Sequence, residues 1–553
     1  MTLKQFFAAA LAFFAGIWGN IYGFFNNFVN DYTFSVDTSV LGDTLPNVKS
    51  NLNRFVGRFP EDPIINEEYN PYEFVDYIQL MECSGGNGDR DLFADPNDFS
   101  VLDDYDFSAL IASCRGVLKT GAKPLLKLGN VPAKLSQKNI AAAGKALGDF
   151  SVNIYPPDDY NQYYNYVKAL AEALVSSFGI EEVRAWRFGV MTEYENAGWF
   201  IAPGGDPQQT AAEYCKLYDY TVQALIDVLG EDVFVGAHSM TCSEGLWDEA
   251  EFIRHCGAGT NYATGKKGTR ICYLAASYYE ERPGKTGNCK TIPQIMAELR
   301  GAAQVVGLTD LIYGVDEGRI LYGNAAGADS DQLPSRTVGD TYQAAFDARL
   351  IKQMFDNGMN YFSSWDYCSF SENHGNPIIT YFVAKHAADF EGARLASAEK
   401  TRCGGIINAD INASAAFDEA SNTLRIMAYN YKNKVKYLSN AQLTFKVNAP
   451  QFADGEAQAT LYMIDDDCNW FDEWRQDRID LGITDDKFSW SPDDGCPNFK
   501  DAEAWQTFYS LTEKYAEYCR LTPTETTVQI KDGSFTLTAD LAPYAVAFFE
   551  VTQ

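Results

Sequence analysis

A chain of 553 residues is long enough for two or three domains with sizeable apolar cores. Its 75 acidic residues outnumber its 44 basic residues, which gives a formal net charge of −31, and no basic cluster offsets this charge. Such a surface repels nucleic acids and anionic lipid headgroups, and it disfavours polyanionic substrates unless a local basic pocket receives them.

The first thirty residues are apolar and rich in aromatic pairs. Phe6-Phe7 and Phe24-Phe25 are two of these pairs, and Lys4 is the only charged residue before Asp31. The pattern predicts an apolar N-terminal helix over residues 1–30. Its role stays open between a helix that docks on a partner, on the domain itself or on a membrane surface, a secretory signal or signal anchor, and a buried helix.

The twelve cysteines are scattered along the chain, and none forms a CxxC pair. The sequence therefore suggests no zinc or redox site, and we expect no metal or other cofactor. Several cysteines lie in apolar periodic runs, where a reduced and buried thiol is the usual state. This favours a cytoplasmic protein, membrane-associated through its N-terminal segment or not, over a secreted one, although an even count leaves disulfides open.

A long series of strand and helix signals follows an alternating stretch at 32–40. Eight apolar runs have the length of buried parallel strands, and helical segments lie between most of them. The runs lie at 54–59, 74–81, 123–128, 183–191, 233–237, 270–276, 311–315 and 359–364. The helical segments include 107–119, 160–178, 211–229, 292–306 and 342–357, several of them ended by a glycine. Repeated β-α units of this number predict a (β/α)8 TIM barrel over residues 51–397.

The pattern changes after a helix that we expect to end near residue 396. Short alternating stretches without long helices between them predict a C-terminal β-sandwich over residues 398–553. These stretches lie at 424–430, 436–447, 459–464, 526–530, 534–537 and 544–551. The strand expected within residues 31–50 precedes the barrel and has no place in it, so we expect it to join the sandwich.

Two glutamates follow the fourth and seventh apolar runs. Glu193 follows the run at 183–191 with Thr192 between, and Glu317 follows the run at 311–315 with Asp316 between. The carboxyl ends of barrel strands build the active site, and side chains from these two positions converge across its mouth. Retaining glycoside hydrolysis needs two such carboxyl groups, roughly 5 to 5.5 Å apart. Glu195 is a rival to Glu193, but it lies two residues farther into the loop.

Three stretches carry a resemblance to glycoside hydrolase family 39, the family of β-xylosidases and α-L-iduronidase. Residues 105–132 are similar to a helix-strand segment that ends in a proline loop. The sequence WRFGVMTEYEN at 186–196 resembles the strand of the acid/base residue, and residues 463–474 and 541–551 resemble the sandwich. The resemblance implies that Glu193 is the acid/base and Glu317 the nucleophile.

The same resemblance implies contacts with the sugar. Trp365, after the eighth run, is similar to the tryptophan that forms the floor of the sugar subsite. Tyr279 follows the sixth run, where a tyrosine often donates to the nucleophile. His238 closes the fifth run and is a candidate sugar contact. The remaining candidates lie at expected strand or loop ends and could line the pocket: Arg58, Asn130, Trp199 and Arg319.

One position departs from the family. Its members carry asparagine immediately before the acid/base, where the amide contacts the 2-hydroxyl of the bound sugar, but this chain has Thr192. A threonine hydroxyl is shorter and forms fewer hydrogen bonds. Either the substrate has a different configuration at carbon 2, or the contact comes from another residue.

The sequence therefore predicts a retaining, exo-acting and β-xylosidase-like glycoside hydrolase that cleaves β-linked saccharides with two glutamates. Two alternatives stay open: a non-catalytic carbohydrate-binding protein on the same scaffold, and a transglycosidase. A saccharide is the expected partner and nucleic acid is not. The apolar N-terminal helix could add a membrane-surface or homo-oligomer contact.

Overall fold

A computed structural model describes residues 29–54, 58–86, 91–144, 152–280, 289–320, 341–364, 376–434, 437–482, 488–490, 497–499 and 502–553. After a first strand, β1 (Asn30–Asp37), eight parallel strands close into a barrel because the last of them pairs with the first. They are β2 (Asn51–Arg54), β3 (Tyr77–Leu80), β4 (Lys123–Leu128), β5 (Arg187–Val190), β6 (Phe234–Ser239), β7 (Tyr273–Glu280), β8 (Ile312–Ile320) and β9 (Tyr361–Ser364). The predicted TIM barrel is confirmed.

Helices cover the outside of the barrel. In chain order they are α1 (Ser108–Lys119), α2 (Gln137–Ala143), α3 (Tyr160–Phe178), α4 (Ile180–Arg184), α5 (Pro207–Leu229), α6 (Glu249–Ala258), α7 (Ile292–Val305), α8 (Thr341–Asn357) and α9 (Ile379–Ala388). The Asp159 side chain accepts a hydrogen bond from the Asn161 N–H and so caps α3, and Gly179 ends this helix with φ 85°. Helical spacing places one face of α3 against the barrel, and its buried residues are Tyr163, Tyr166, Val167, Leu170, Ala171 and Leu174.

The first barrel strand lies earlier than predicted. The apolar run at 54–59 indicates a strand there, but β2 ends at Arg54 and all four of its residues are buried. Inside the barrel, Asn53 Nδ2 donates to the Asp316 carbonyl at 3.1 Å, and Asn53 Oδ1 accepts from Gln79 at 3.2 Å. Because the buried side chains of β2 include hydrogen-bonded amides, a search for apolar runs misses this strand.

Large polar side chains fill the barrel interior. Tyr273 and Tyr361 pack edge to face, with ring centroids 6.2 Å apart. A Cβ atom on Gly236 would lie 2.3 Å from the Tyr273 ring, so a glycine on the neighbouring strand makes room for that ring. The buried Lys127 forms an ion pair with the buried Asp316. This network lies directly below the carboxyl ends of the strands.

The C-terminal part is a nearly closed sheet of nine strands, as the predicted sandwich requires. Phe34 of β1 stacks on Phe445 in its core, with ring centroids 5.3 Å apart. The strands beyond β9 are β10 (Arg394–Gly404), β11 (Asp410–Asp418), β12 (Thr423–Tyr431), β13 (Ala441–Asn448), β14 (Gly455–Ile464), β15 (Phe488–Trp490), β16 (Pro497–Phe499), β17 (Thr524–Ile530), β18 (Ser534–Leu541) and β19 (Val546–Thr552). The order in the nine-stranded sheet is β17-β14-β19-β12-β11-β10-β1-β13-β18, and β1 pairs with β10 and β13. β15 and β16 pair with each other in a separate two-stranded sheet.

Two details of this part differ from the prediction. The prediction that a helix ends near residue 396 is wrong, since α9 ends at Ala388 and Arg394–Gly404 forms β10. Alanine, lysine and glutamate favour a helix there, but pairing with β1 prevails. Two helices, α10 (Phe471–Asp480) and α11 (Ala502–Ala516), also lie between β14 and β17.

The predicted domain limits stay predictions. The limit between residues 397 and 398 falls inside β10. The apolar segment at the start of the chain lies outside the described residues as far as residue 28, and so does the helix predicted there. No helix within the described ranges is long and apolar enough to cross a membrane.

Candidate active site

Glu193 lies in a tight turn after β5. Met191 and Glu193 have φ angles of 67° and 44°, which non-glycine residues rarely adopt and which often mark a functional site. The Asn196 N–H closes the turn by donating to the Glu193 carbonyl at 2.7 Å. The Glu193 carboxylate is buried, and each of its oxygens accepts one hydrogen bond. Ser277 Oγ donates to Oε1 at 2.5 Å, and Asn196 Nδ2 donates to Oε2 at 2.7 Å.

Glu317 reaches the same region through a β-bulge in β8. The register with β7 shifts after Ala276, so that Val315 opposes Ala276 while Glu317 opposes Ser277. Asp316 is the extra residue, and a bulge of this kind redirects the side chain that follows it. Tyr279 is two residues beyond Ser277 and donates its hydroxyl to Glu317 Oε1 at 2.6 Å. Ser277 thus contacts Glu193 with its side chain and pairs with Glu317 through its backbone.

Asp316 anchors the bulge from inside the barrel. Its carboxylate accepts hydrogen bonds from Lys127 Nζ and, at 2.7 Å, from the Tyr361 hydroxyl. Its carbonyl accepts from Asn53 and Gln79, both at 3.1 Å. Four strands therefore hold the residue next to Glu317, and the position of Glu317 follows from the barrel interior rather than from a surface loop.

A buried histidine extends the hydrogen-bond chain beyond Ser277. His238 Nε2 lies 2.9 Å from Ser277 Oγ, and burial and the nearby Lys127 charge hold the pKa of His238 well below its usual range. The neutral ring carries one proton. The single hydroxyl proton of Ser277 is donated to Glu193, so His238 Nε2–H must donate to Ser277 Oγ. The direction of the chain is therefore from His238 through Ser277 to the Glu193 carboxylate.

The other candidate residues have different positions. Asn130 is buried two residues beyond β4, and its Nδ2 has no hydrogen-bond partner among the described residues. Thr192 is buried beside Glu193, and the buried Trp199 donates its backbone N–H to Asn196 O at 2.9 Å. Arg58 is exposed after β2. Trp365 and the side chain of Arg319 lie outside the described residues, although the Arg319 backbone pairs with Tyr279.

Three residues of the site were not predicted from the sequence. Asn196 belongs to the stretch WRFGVMTEYEN, and its spacing of three residues from Glu193 is typical of an amide that closes a turn. Ser277 directly follows the sixth apolar run, but serine at a strand end carries little information by itself. In the sequence, nothing distinguishes Asp316 except that it precedes Glu317. The described part of the chain contains no group of three or more histidine, cysteine, aspartate or glutamate side chains that could hold a metal ion.

Glu195 holds the loop after β6. Its Oε1 accepts from Ser239 Oγ at 2.6 Å and from the Thr241 N–H at 3.0 Å. Burial raises the pKa of Glu195 to about 8, so its carboxyl group is protonated at neutral pH. These contacts give Glu195 a structural role in the loop.

Replacing Glu195 by glutamine is expected to remove a pH dependence of stability. The unfolded carboxyl group releases its proton near its ordinary pKa of 4.5, whereas the native one keeps it up to about pH 8. The native state therefore binds more protons between about pH 5 and pH 8, and its unfolding free energy falls as pH rises, by on the order of a few kcal/mol. Urea denaturation at several pH values should show this fall for the wild type relative to Glu195→Gln. If the unfolding free energies of the two proteins change with pH in the same way, the prediction is contradicted.

Removing the Tyr279 hydroxyl is expected to slow catalysis. Tyr279→Phe deletes one hydrogen bond to the Glu317 carboxylate, and bonds to charged groups are worth about 1.5–3 kcal/mol, or roughly a 10- to 100-fold fall in kcat/KM. The matched control is Tyr278→Phe, because Tyr278 packs on Phe346 of α8 on the outer side of the barrel. Equal losses of kcat/KM in the two variants would show that the hydrogen bond from Tyr279 to Glu317 does not contribute to catalysis.

A parallel barrel with two buried glutamates at the ends of its fourth and seventh strands has the architecture of a glycoside hydrolase. The sequence profile named Glycosyl hydrolases family 39 matches residues 95–452. The chain belongs to this family.

Individual relatives are distant in sequence, and a solved structure shares the fold. The chain is 24% identical to a beta-xylosidase from Caldicellulosiruptor saccharolyticus over 48% of this chain and 49% of that protein. It is 27% identical to a beta-xylosidase from Geobacillus stearothermophilus over 28% of each chain. The aligned part therefore spans half or less of these relatives. The crystal structure of a monomeric beta-xylosidase from Caulobacter crescentus CB15 has a TM-score of 0.59 and 14% identity, covering 94% of this chain and 99% of that one.

Proposed function

We propose that the protein is a retaining, exo-acting glycoside hydrolase and that β-xylosides are the first substrates to test. The observation that carries this proposal is the link through Ser277, which holds Glu193 with its hydroxyl and pairs with Glu317 across β7 and β8. Carboxyl groups from two different strands thereby face one substrate position. The names of the relatives support β-xylosides, and the exo-acting mode is inferred from the resemblance to family 39.

Each glutamate has a distinct role in the proposed reaction. Glu193 protonates the glycosidic oxygen while Glu317 attacks the anomeric carbon, so that the bond to the leaving group breaks and a glycosyl-enzyme ester forms. Glu193, now ionised, then takes a proton from water, and the resulting attack releases the sugar and regenerates Glu317. Tyr279 holds Glu317 Oε1 for the attack, while Ser277 and Asn196 orient the Glu193 carboxyl group.

The experiment is a panel of aryl glycosides that vary in the sugar, with the anomeric form of the first product followed by NMR. Turnover of a β-xyloside with the β-anomer released first supports the proposal, and accumulation of longer saccharides at high acceptor concentration would reveal a transglycosidase. Inversion would contradict the proposed roles. Sugar binding without turnover of any substrate would indicate a carbohydrate-binding protein instead.

We also propose that Asn130 contacts the sugar 2-hydroxyl. Thr192, which stands where the family has asparagine, has a shorter side chain for this contact. Leu128 pairs with Val190, so Asn130 and Thr192 each lie two residues beyond a paired position on neighbouring strands. The Asn130 amide nitrogen is buried and has no hydrogen-bond partner among the described residues. A sugar hydroxyl would satisfy this donor, which is costly to bury alone.

Asn130→Ala is therefore expected to lower kcat/KM for the xyloside by about 10-fold or more, with little effect on the matching 2-deoxy substrate. The measurement is the ratio of kcat/KM for these two substrates in the wild type and the variant. An unchanged ratio would exclude Asn130 as the donor to the 2-hydroxyl, and the Thr192→Ala variant would show whether that residue has the role instead.

A further inference from the structure

Two cysteines from different loops meet beside the candidate active site. Cys242 lies three residues beyond the end of β6, and Cys289 lies shortly before α7. The Lys290 N–H donates to the Cys242 carbonyl at 2.7 Å, and Cys289 Sγ donates to the carbonyl of the same Lys290 at 3.3 Å. Neither of the two cysteines forms a disulfide in the structure. The backbone contact at the adjacent residue keeps the two chain segments together, which a disulfide requires.

The two thiols differ in accessibility. Cys242 is 6% exposed, whereas Cys289 is half-buried. The neighbouring Cys289 thiol, burial and the nearby Glu193 charge all raise the pKa of the Cys242 thiol. Cys289 is therefore the sulfur that an oxidant in solution reaches first.

We propose that Cys242 and Cys289 form a reversible disulfide that joins the loop after β6 to the segment before α7. The oxidant is a small-molecule disulfide. The Cys289 thiolate attacks one of its sulfurs, forms a mixed disulfide and releases one small thiol. The Cys242 thiolate then attacks the Cys289 sulfur and releases the second small thiol. Two electrons pass from the protein to the oxidant, and the two protein protons end on the released thiols.

The disulfide would close a loop that contains β7, and hence both Ser277 and Tyr279. The same two segments are already joined by Lys290, which forms ion pairs with Glu244 at 3.1 Å and with Glu298 at 2.7 Å. Closing a long loop constrains the unfolded chain, so oxidation is expected to stabilise the native fold. The proposal concerns the thiols alone and does not depend on the proposed glycosidase activity.

The test incubates the full-length protein with oxidised glutathione and then maps its peptides by mass spectrometry without reduction. We expect a peptide pair linked through Cys242 and Cys289, two hydrogens lighter than the separate peptides, and a rise in Tm of several degrees. Dithiothreitol should reverse both changes. The linked pair and the rise in Tm should be absent in Cys289→Ser and Cys242→Ser.

Cys403→Ser is the matched control, because Cys403 is an exposed thiol on β10 and its removal should leave the linked pair unchanged. Cys289 is the less buried of the pair, so Cys289→Ser keeps the test decisive if Cys242→Ser fails to fold. A stable glutathione adduct on Cys289, or a link from either cysteine to another thiol, would overturn the proposal. Activity assays play no part in either outcome.

Discussion

Glu317→Ala is expected to lower kcat for aryl β-glycosides by about four to six orders of magnitude, the loss typical of removing a nucleophile. The variant has no carboxylate to attack the anomeric carbon, although Glu193 can still protonate the leaving oxygen. The shortened side chain leaves space where Glu317 stood. Azide should enter this space, attack the anomeric carbon in a single displacement and yield the α-glycosyl azide. The measurement is the rate against azide concentration, with the product identified by NMR.

Glu317→Gln provides the control for this rescue. The amide is as unreactive as the alanine side chain, but it fills the same space as the native carboxyl group, so activity should be lost without recovery in azide. Tyr279, which donates to Glu317 Oε1, remains in both variants. If Glu317→Ala keeps the wild-type rate, or if azide yields the β-glycosyl azide, then Glu317 is not the nucleophile.

Glu193→Ala is expected to give a loss that depends on the leaving group. General acid catalysis contributes about 100- to 10,000-fold, so the rate of glycosyl-enzyme formation should fall by that amount for a substrate with a poor leaving group. A dinitrophenyl glycoside needs little protonation, and its first step should be nearly unchanged. The second step lacks its base, so the glycosyl-enzyme should accumulate. Azide needs no such base and should release it as the β-glycosyl azide.

The matched control for this prediction is Glu195→Gln. Glu195 lies two residues away, but its carboxyl group bonds Ser239 and Thr241 rather than the region between the two proposed catalytic residues. We expect this variant to show no dependence on the leaving group. The opposite pattern, with a leaving-group dependence in Glu195→Gln and none in Glu193→Ala, would exchange the roles of the two residues.

The hydrogen-bond chain explains how the turn around Glu193 keeps its unusual backbone. A non-glycine residue with positive φ costs free energy and persists only when its surroundings impose it. Here Ser277 and Asn196 each bind one carboxylate oxygen, and Asn196 also closes the turn through its backbone. His238 orients Ser277 in turn. Contacts from β5, β6 and β7 thus maintain the strained backbone of the turn. They also fix the direction of the Glu193 side chain.

Much of the fold is determined by local patterns in the sequence. The helix at 160–178 was predicted with the bounds that the structure has, because its apolar spacing and its terminal Gly179 are both local signals. The barrel followed from the number of β-α units. Glu193 and Glu317 could be selected because each lies two residues beyond the end of an apolar run, and Tyr279 because it lies three residues beyond the end of another. These features need no knowledge of which distant residues meet.

Only the tertiary structure decides the contacts between residues far apart in the chain. The strand β2 is stabilised by amides that bond across the barrel, and β10 is stabilised by pairing with β1 against its helical composition. The meeting of Cys242 with Cys289 depends on the packing of two loops. The bulge at Asp316 and the bond from Ser277 to Glu193 depend on strand register. Register is set by packing over the whole sheet, and a shift of one residue would turn each of these side chains to the opposite face.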